Sequence, residues 1–232
     1  MAVINRIAYV LNRRLSLAFN KWVVHAQPRR LFALFNTYFG LRFAGDYSNN
    51  YMLPEQYLIV SNHQSLLDIP LYMRFMEPER LRFVAKAELG RGIPAISLVL
   101  RSDKHCLIKR SGGPSSAMRE IDRFAERVRD NNWIPVIFPE GTRSKDGKLG
   151  TFYAAGFRRF QDNLPLPVAV CAVDGRWNVS SLAGTSKKLR GCKYRVKVVA
   201  VYPAPHTKAE QMHILEEGKE KISKQLESWR NE

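Results

Sequence analysis

Short apolar runs alternate with amphipathic stretches along most of the chain. Runs rich in Val, Ile and Leu predict buried strands at residues 57–60, 81–85, 106–108, 134–138, 166–173 and 194–201. Apolar residues spaced three and four apart predict helices at 67–75, 94–100, 115–129, 153–162 and 207–230. Strands that alternate with helices typically build a parallel sheet. The pattern therefore predicts an α/β fold, with a largely parallel central sheet flanked by helices.

The first 45 residues show helical periodicity instead. Apolar residues recur at helical spacing over 4–22 and again over 31–39, and Pro28 suits the first turn of the second helix. We therefore expect an N-terminal amphipathic helical hairpin over residues 1–45, followed by one main domain over residues 46–232.

The positive charge is concentrated in two segments. Lys and Arg number 37 against 21 Asp and Glu, for a net charge of +16. Residues 1–45 and 175–209 contain bases and no acids, so the rest of the chain is nearly neutral. A basic surface implies an anionic partner, which could be nucleic acid, anionic lipid or an acidic carrier protein. The strands lack a basic recognition motif with interleaved aromatic residues, which argues against nucleic acid.

The acid-free start of the chain favours a membrane surface as the partner. Bases interrupt every apolar stretch that approaches the roughly 20 residues a membrane span needs, so we expect no spanning helix. A helix that carries Arg and Lys on one face and Phe, Trp and Leu on the other is typical of interfacial binding. We expect peripheral or monotopic association with an anionic membrane surface.

A polar stretch, Asn-His-Gln-Ser-Leu-Leu-Asp, directly follows the predicted strand 57–60. Because sites in open α/β sheets lie at the carboxyl ends of strands, His63 should stand at a crevice. An imidazole can take a proton from a hydroxyl at neutral pH when a carboxylate such as Asp68 orients it. Taken alone, both residues could equally occupy a turn and a helix cap.

A second stretch, Phe-Pro-Glu-Gly-Thr-Arg-Ser at 138–144, follows the predicted strand 134–138. Gly141 would let a ligand approach the backbone closely, and Arg143 could form a bidentate bond to a phosphate. Taken alone, it could also be an ordinary turn with a surface arginine.

Together the two stretches resemble motifs of the glycerolipid acyltransferases, in particular the 1-acylglycerol-3-phosphate acyltransferases. The residues that match the family's N-H-x-S-x-x-D motif are Asn62, His63, Ser65 and Asp68. Its F-P-E-G-T-R-S motif is matched by residues 138–144 without a change. Between them, K-x-E-L is found at 86–89 and a short strand ends at Arg110. The last motif is matched at 166–170, although the family's frequent second proline is absent there.

The resemblance implies that His63 is the general base, that Asp68 orients it, and that the acceptor hydroxyl attacks the acyl thioester directly. Residues implied to hold the acceptor's phosphate and glycerol are Glu140, Gly141, Thr142, Arg143 and Arg110. Residues implied to support them are Asn62, Ser65 and Lys86. No metal or cofactor is implied beyond acyl-CoA or acyl carrier protein as co-substrate, and backbone N–H groups would stabilise the oxyanion.

The expected reaction is acyl transfer to 1-acylglycerol 3-phosphate, which yields phosphatidic acid at the cytoplasmic face of the membrane. Another lysolipid, such as a lysophospholipid or a lyso-ornithine lipid, or glycerol 3-phosphate could be the acceptor instead. A non-catalytic protein that binds lipid or nucleic acid is the alternative from another class. Expected partners are the anionic membrane surface, the lysolipid and, for an acyl-protein donor, the carrier protein.

Overall fold

The computed structural model of the protein describes residues 28–30, 32–65, 67–90, 100, 103–175 and 191–232. Within these residues, seven strands form a single sheet in the order β1-β7-β6-β2-β5-β3-β4. The strands are β1 Arg42–Asp46, β2 Leu58–Ser61, β3 Leu81–Lys86, β4 Cys106–Ile108, β5 Ile134–Ile137, β6 Val168–Asp174 and β7 Lys193–Tyr202.

Five neighbouring strands, β6, β2, β5, β3 and β4, run parallel to one another. β7 runs antiparallel to β6, and β1 pairs in parallel with β7 at the edge. The prediction of a largely parallel sheet is therefore confirmed. The parallel arrangement brings the carboxyl ends of five strands to the same edge.

Helices cover both faces of the sheet. They are α1 at 32–39, α2 Asp68–Phe75, α3 Gly113–Asn131, α4 Ala154–Asn163 and α5 Lys208–Arg230. Alternation along β2 separates the two cores: Ile59 packs with the apolar residues of α1 and α2, whereas Leu58 and Val60 pack with those of α3, α4 and α5. Both faces of β2, β5 and β6 are buried, which explains their continuous apolar sequence.

The N-terminal part of the chain differs from the sequence-based prediction in one respect. The second helix of the hairpin is found at 28–30 and 32–39, but Arg42–Asp46 forms β1, which pairs with Lys193–Lys197 of β7. The expected boundary after residue 45 thus falls inside a strand of the main sheet. This five-residue edge strand contains a glycine and shows no alternation that would have revealed it.

Two further predictions fall mostly on residues outside the described ranges. They concern the first helix of the hairpin at 4–22 and the helix at 94–100, of which Leu100 is described as helical. Residues 176–190 of the basic segment 175–209 also lie outside the described ranges. Among the described residues, no helix is long and apolar enough to cross a membrane.

Candidate active site

The two polar motifs meet at the carboxyl edge of the sheet. β2 and β5 are paired neighbours, with Val60 opposite Ile137, so the loops that follow them leave the sheet side by side. The first loop carries His63 and the second carries residues 138–144. The position expected for both motifs, directly after buried strands, is the position observed.

His63 and Asp68 form a hydrogen-bonded pair. The Nδ1 atom of His63 lies 2.7 Å from Oδ2 of Asp68, which is fully buried at the first residue of α2. An ionised carboxylate only accepts hydrogen bonds, so Nδ1 carries the hydrogen and Nε2 keeps a lone pair. The His63 side chain is 17% exposed. The pair can therefore present Nε2 as a base while Asp68 stabilises the imidazolium that forms.

The buried carboxylate of Asp68 is surrounded by donors. Its Oδ2 also accepts the backbone N–H of Gln64 at 2.7 Å and that of Ser65 at 2.9 Å, and its Oδ1 accepts the hydroxyl of Tyr194 at 2.7 Å. The N-terminus of α2 adds a favourable dipole. These interactions offset the free-energy penalty of burying a charge.

Glu140 anchors the loop that carries His63. Its Oε1 accepts the backbone N–H of His63 at 2.8 Å, and its Oε2 accepts that of Gly150 at 2.9 Å. Burial raises the pKa of this carboxyl, and the two backbone hydrogen bonds oppose that rise. Ser144 completes the link by donating its N–H to the carbonyl of His63 at 2.8 Å, while Phe138 stacks on the imidazole at 4.2 Å between ring centroids.

The placement of Glu140 changes its interpretation. The resemblance implied that it contacts the acceptor headgroup, but both of its oxygens hold backbone N–H groups and the residue is only 6% exposed. A carboxylate is also electrostatically unsuited to binding a phosphate. We therefore infer that Glu140 positions His63 and the loop to Gly150.

Amide side chains attach the same loop to β6. Asn62 exchanges two hydrogen bonds of 2.8 Å with the backbone of Val173, and Gln64 accepts the N–H of Gly175 at 3.1 Å. The Ser65 hydroxyl accepts the N–H of Leu67 at 3.2 Å. The contacts of Asn62 and Ser65 fit the supporting roles expected for them.

The remaining predicted residues lie around the same edge. Gly141 adopts a left-handed conformation, φ 63°, in the turn after β5, which suits glycine. A cavity of about 230 Å³ follows β5, and its lining includes Glu140, Thr142, Arg143, Lys145, Asp146 and Lys148. Three of these side chains are basic and two are acidic.

The other two predicted residues come from the strands beyond β5. Lys86 ends β3, and Arg110 begins the 3-10 turn that follows β4. Both positions belong to the carboxyl edge that carries His63. In the described part of the chain, His, Cys, Asp and Glu residues form no cluster of three that could hold a metal ion.

Sequence reasoning assigned no role to four residues of the site: Gln64, Ser144, Gly150 and Tyr194. Gln64 and Ser144 lie within the two motifs, whereas Gly150 and Tyr194 lie outside them. Tyr194 carried a usable signal, because it lies at a core position of a predicted strand and a buried tyrosine hydroxyl normally needs a partner. The partners themselves lie far away along the chain.

Comparison with known proteins agrees with this geometry. The model of the family described as acyltransferase matches residues 46–173. The chain is 31% identical over 142 residues to the 1-acyl-sn-glycerol-3-phosphate acyltransferase of Helicobacter pylori, covering 61% of this chain and 56% of that protein. It is 32% identical over 159 residues to the human 1-acyl-sn-glycerol-3-phosphate acyltransferase beta, covering 66% and 53%. The chain thus spans about half the length of these curated relatives.

The fold is shared with a solved structure. The crystal structure of the 1-acyl-sn-glycerophosphate (LPA) acyltransferase from Thermotoga maritima superposes with a TM-score of 0.66 at 23% identity, covering 92% of this chain and 82% of that one. The family model covers more than half of the chain and includes both motifs. The protein therefore belongs to the acyltransferase family.

Proposed function

We propose that the protein transfers a fatty acyl group from a thioester donor to the free hydroxyl of 1-acylglycerol 3-phosphate, forming phosphatidic acid. The observation that carries this proposal is the His63–Asp68 pair beside the cavity after β5, to which Arg143, Lys145 and Lys148 contribute. The names of the relatives support the same acceptor. Either acyl-CoA or acyl carrier protein supplies the thioester.

The chemistry follows from the orientation of His63. Its Nε2 takes the proton of the acceptor hydroxyl as that oxygen attacks the thioester carbonyl carbon. The tetrahedral intermediate then collapses, the carbon–sulfur bond breaks, and the departing thiolate takes the proton from the imidazolium. A new ester and a free thiol result, without a covalent acyl-enzyme. The Asp68 carboxylate stabilises the positive ring between the two proton transfers.

The three bases of this cavity supply recognition of the acceptor. Arg143 has a planar guanidinium suited to bidentate binding of a phosphate monoester, and Lys145 and Lys148 add positive charge at the same rim. We assign Gly141, Thr142 and Arg110 to the same headgroup, and Lys86, at the end of β3, to a supporting role.

We further propose that the protein works on an anionic membrane surface, facing the cytoplasm where its donors occur. α1 supports this proposal: Leu34 and Tyr38 stand one helical turn apart and are 54% and 72% exposed. Arg29 and Arg30 are exposed just before them. Bases beside exposed apolar groups are typical of interfacial helices, and a lysolipid acceptor resides in such a surface.

An acceptor panel tests the proposal. The purified chain is given acyl-CoA or acyl carrier protein with 1-acylglycerol 3-phosphate, a zwitterionic lysophospholipid, a lyso-ornithine lipid and glycerol 3-phosphate, and kcat/KM is compared. We expect the lysophosphatidate to be preferred at least tenfold, the order of a charge-assisted phosphate contact. Equal rates on the zwitterionic lysolipid, or no acyl transfer at all, would overturn the proposal.

A charge-removing variant locates the phosphate contact. Arg143→Gln should raise KM for lysophosphatidate by about tenfold or more, because a bidentate charge-assisted contact is lost. Arg159→Gln is the matched control, since Arg159 lies on α4 and its guanidinium binds Asp122 instead, at 2.6 Å. An equal KM for both variants would contradict the assignment of Arg143.

A further inference from the structure

Tyr194 brings the antiparallel part of the sheet into contact with the His63–Asp68 pair. It is the second residue of β7 and is fully buried. Its hydroxyl donates to Oδ1 of Asp68 at 2.7 Å, across 126 residues of sequence. The hydrogen bond joins a side chain outside both motifs to the carboxylate that orients the base.

The tyrosine ring is fixed on two sides. A Cβ atom added to Gly175 would lie only 2.4 Å from ring carbons of Tyr194, so the glycine backbone lies flat against the ring. Phe32 packs edge-on at 6.2 Å between centroids, with the ring planes at 70°. Gly175 also donates its N–H to Gln64, the residue that follows His63. The position of the Tyr194 hydroxyl is therefore determined by the fold.

The two oxygens of Asp68 have separate partners. Oδ2 faces the Nδ1 of His63 and the backbone N–H groups of Gln64 and Ser65, whereas Oδ1 receives the hydroxyl of Tyr194. We propose that Tyr194 is a positioning residue for acyl transfer, whose hydroxyl holds the Asp68 carboxylate in the rotation that points Oδ2 at His63. This inference rests on the proposed role of His63 as the general base.

The hydrogen bond from Tyr194 also partly neutralises the negative charge of the Asp68 carboxylate. Burial raises the pKa of Tyr194 far above its usual range, so the hydroxyl remains a donor at any assay pH. Tyr72 on α2 and Glu140 after β5 are other titratable groups that interact with the pair, and Asp174 at the end of β6 interacts with Tyr194. They stay unchanged in a Tyr194→Phe variant. Without the hydroxyl, more of the Asp68 charge acts on His63, which favours the imidazolium.

The chain offers a matched control for removal of the hydroxyl. Tyr72 is also fully buried and close to the site, and its hydroxyl donates to Ser61 at 2.7 Å instead of to Asp68. Tyr194→Phe should lower kcat by about tenfold with little change in KM, since one hydrogen bond to a charged group is lost. The acidic limb of the pH–rate profile of Tyr194→Phe should lie about half a pH unit higher than that of the wild type. Tyr72→Phe should leave kcat within about twofold and the limb in place.

A double-mutant cycle separates positioning from packing. In an Asp68→Ala background, Tyr194→Phe should change kcat by less than about twofold, because the group it positions is gone. The same tenfold loss in that background, or an acidic limb that does not move in Tyr194→Phe alone, would overturn the inference. Thermal unfolding of both Phe variants checks that each is folded. Full activity of Asp68→Ala would instead refute the role given to the His63–Asp68 pair. The absence of acyl transfer by the wild type would refute the proposed function, so the three failures are distinguishable.

Discussion

The variant Glu140→Gln tests whether Glu140, in the second motif, positions His63 or binds the acceptor. The substitution keeps the shape of the side chain but leaves a single acceptor oxygen. Glu140 now serves two backbone donors, the N–H groups of His63 and Gly150, at 2.8 and 2.9 Å. In the variant one of these donors must face the new amide NH2 group. We therefore predict that kcat falls while KM for the acceptor stays nearly constant.

The size of the effect follows from the lost contact. A hydrogen bond to a charged group contributes about 1.5–3 kcal/mol, and a buried unsatisfied N–H costs about 1–3 kcal/mol. The substitution also removes a buried negative charge, and burial of that charge is unfavourable, as the raised pKa of Glu140 indicates. Its removal therefore offsets part of the loss. If misorientation of His63 raises the activation free energy by about 1 to 1.5 kcal/mol, kcat falls by roughly five- to tenfold.

The assay is steady-state acyl transfer, with lysophosphatidate varied at saturating acyl-CoA. Glu120→Gln is the control, because Glu120 lies on α3 and pairs with Arg127 at 3.0 Å, away from His63. It should leave both kinetic constants unchanged. A raised KM with unchanged kcat in Glu140→Gln would refute the reasoning and return Glu140 to the acceptor headgroup.

Three further predictions concern stability and membrane binding. Burial lowers the pKa of His105 from 6.5 to about 3, so its stabilising contribution is present above pH 6.5 and is lost as pH falls towards 3. Between pH 7.5 and 5.5 the wild type should lose about 1.4 kcal/mol more unfolding free energy than His105→Asn, measured in urea. Leu34→Ser with Tyr38→Ser should weaken binding to anionic vesicles about tenfold in co-sedimentation. Gly141→Ala should cost about 1 kcal/mol in urea unfolding, from backbone strain alone, because nothing lies within 4 Å of the added Cβ.

Each of these predictions has an outcome that contradicts it. If the unfolding free energy of His105→Asn fell with pH as steeply as that of the wild type, His105 would bind a proton as readily in the folded state as in the unfolded state. Tyr51→Ser is the vesicle control, because Tyr51 is 84% exposed on a different segment; equal losses would remove the role given to α1. Gly156→Ala is the control for Gly141→Ala and should be neutral or stabilising, because Gly156 lies inside α4. A Gly141→Ala protein as stable as the wild type would show that alanine causes no backbone strain at this position.

Local patterns sufficed to predict the main elements. The predicted strand 106–108 matches β4, and the predicted helix 207–230 differs from α5 by one residue at its start, where Thr207 forms a capping box with Glu210. The buried parallel strands are marked by continuous apolar runs, and the amphipathic helices by helical periodicity. β1 was missed because five residues at a sheet edge, with a glycine among them, carry no such pattern.

The candidate site was predictable only as far as its motifs extend. His63 and Asp68 are five residues apart, so their pairing could be proposed from spacing. The hydrogen bond from His63 to Glu140 spans 77 residues and that from Tyr194 to Asp68 spans 126. Such contacts depend on strand order and register, which periodicity does not specify. The role of Glu140 was for that reason reassigned once the fold was known.

The central claim is that His63 acts as the base for direct acyl transfer. Its most direct measurement is the kcat of His63→Ala for phosphatidic acid formation from lysophosphatidate and acyl-CoA, with the fold checked by thermal unfolding. A general base contributes about 10²–10⁴ in rate, so kcat should fall by roughly a thousandfold. A folded His63→Ala protein that retains wild-type kcat would contradict the account.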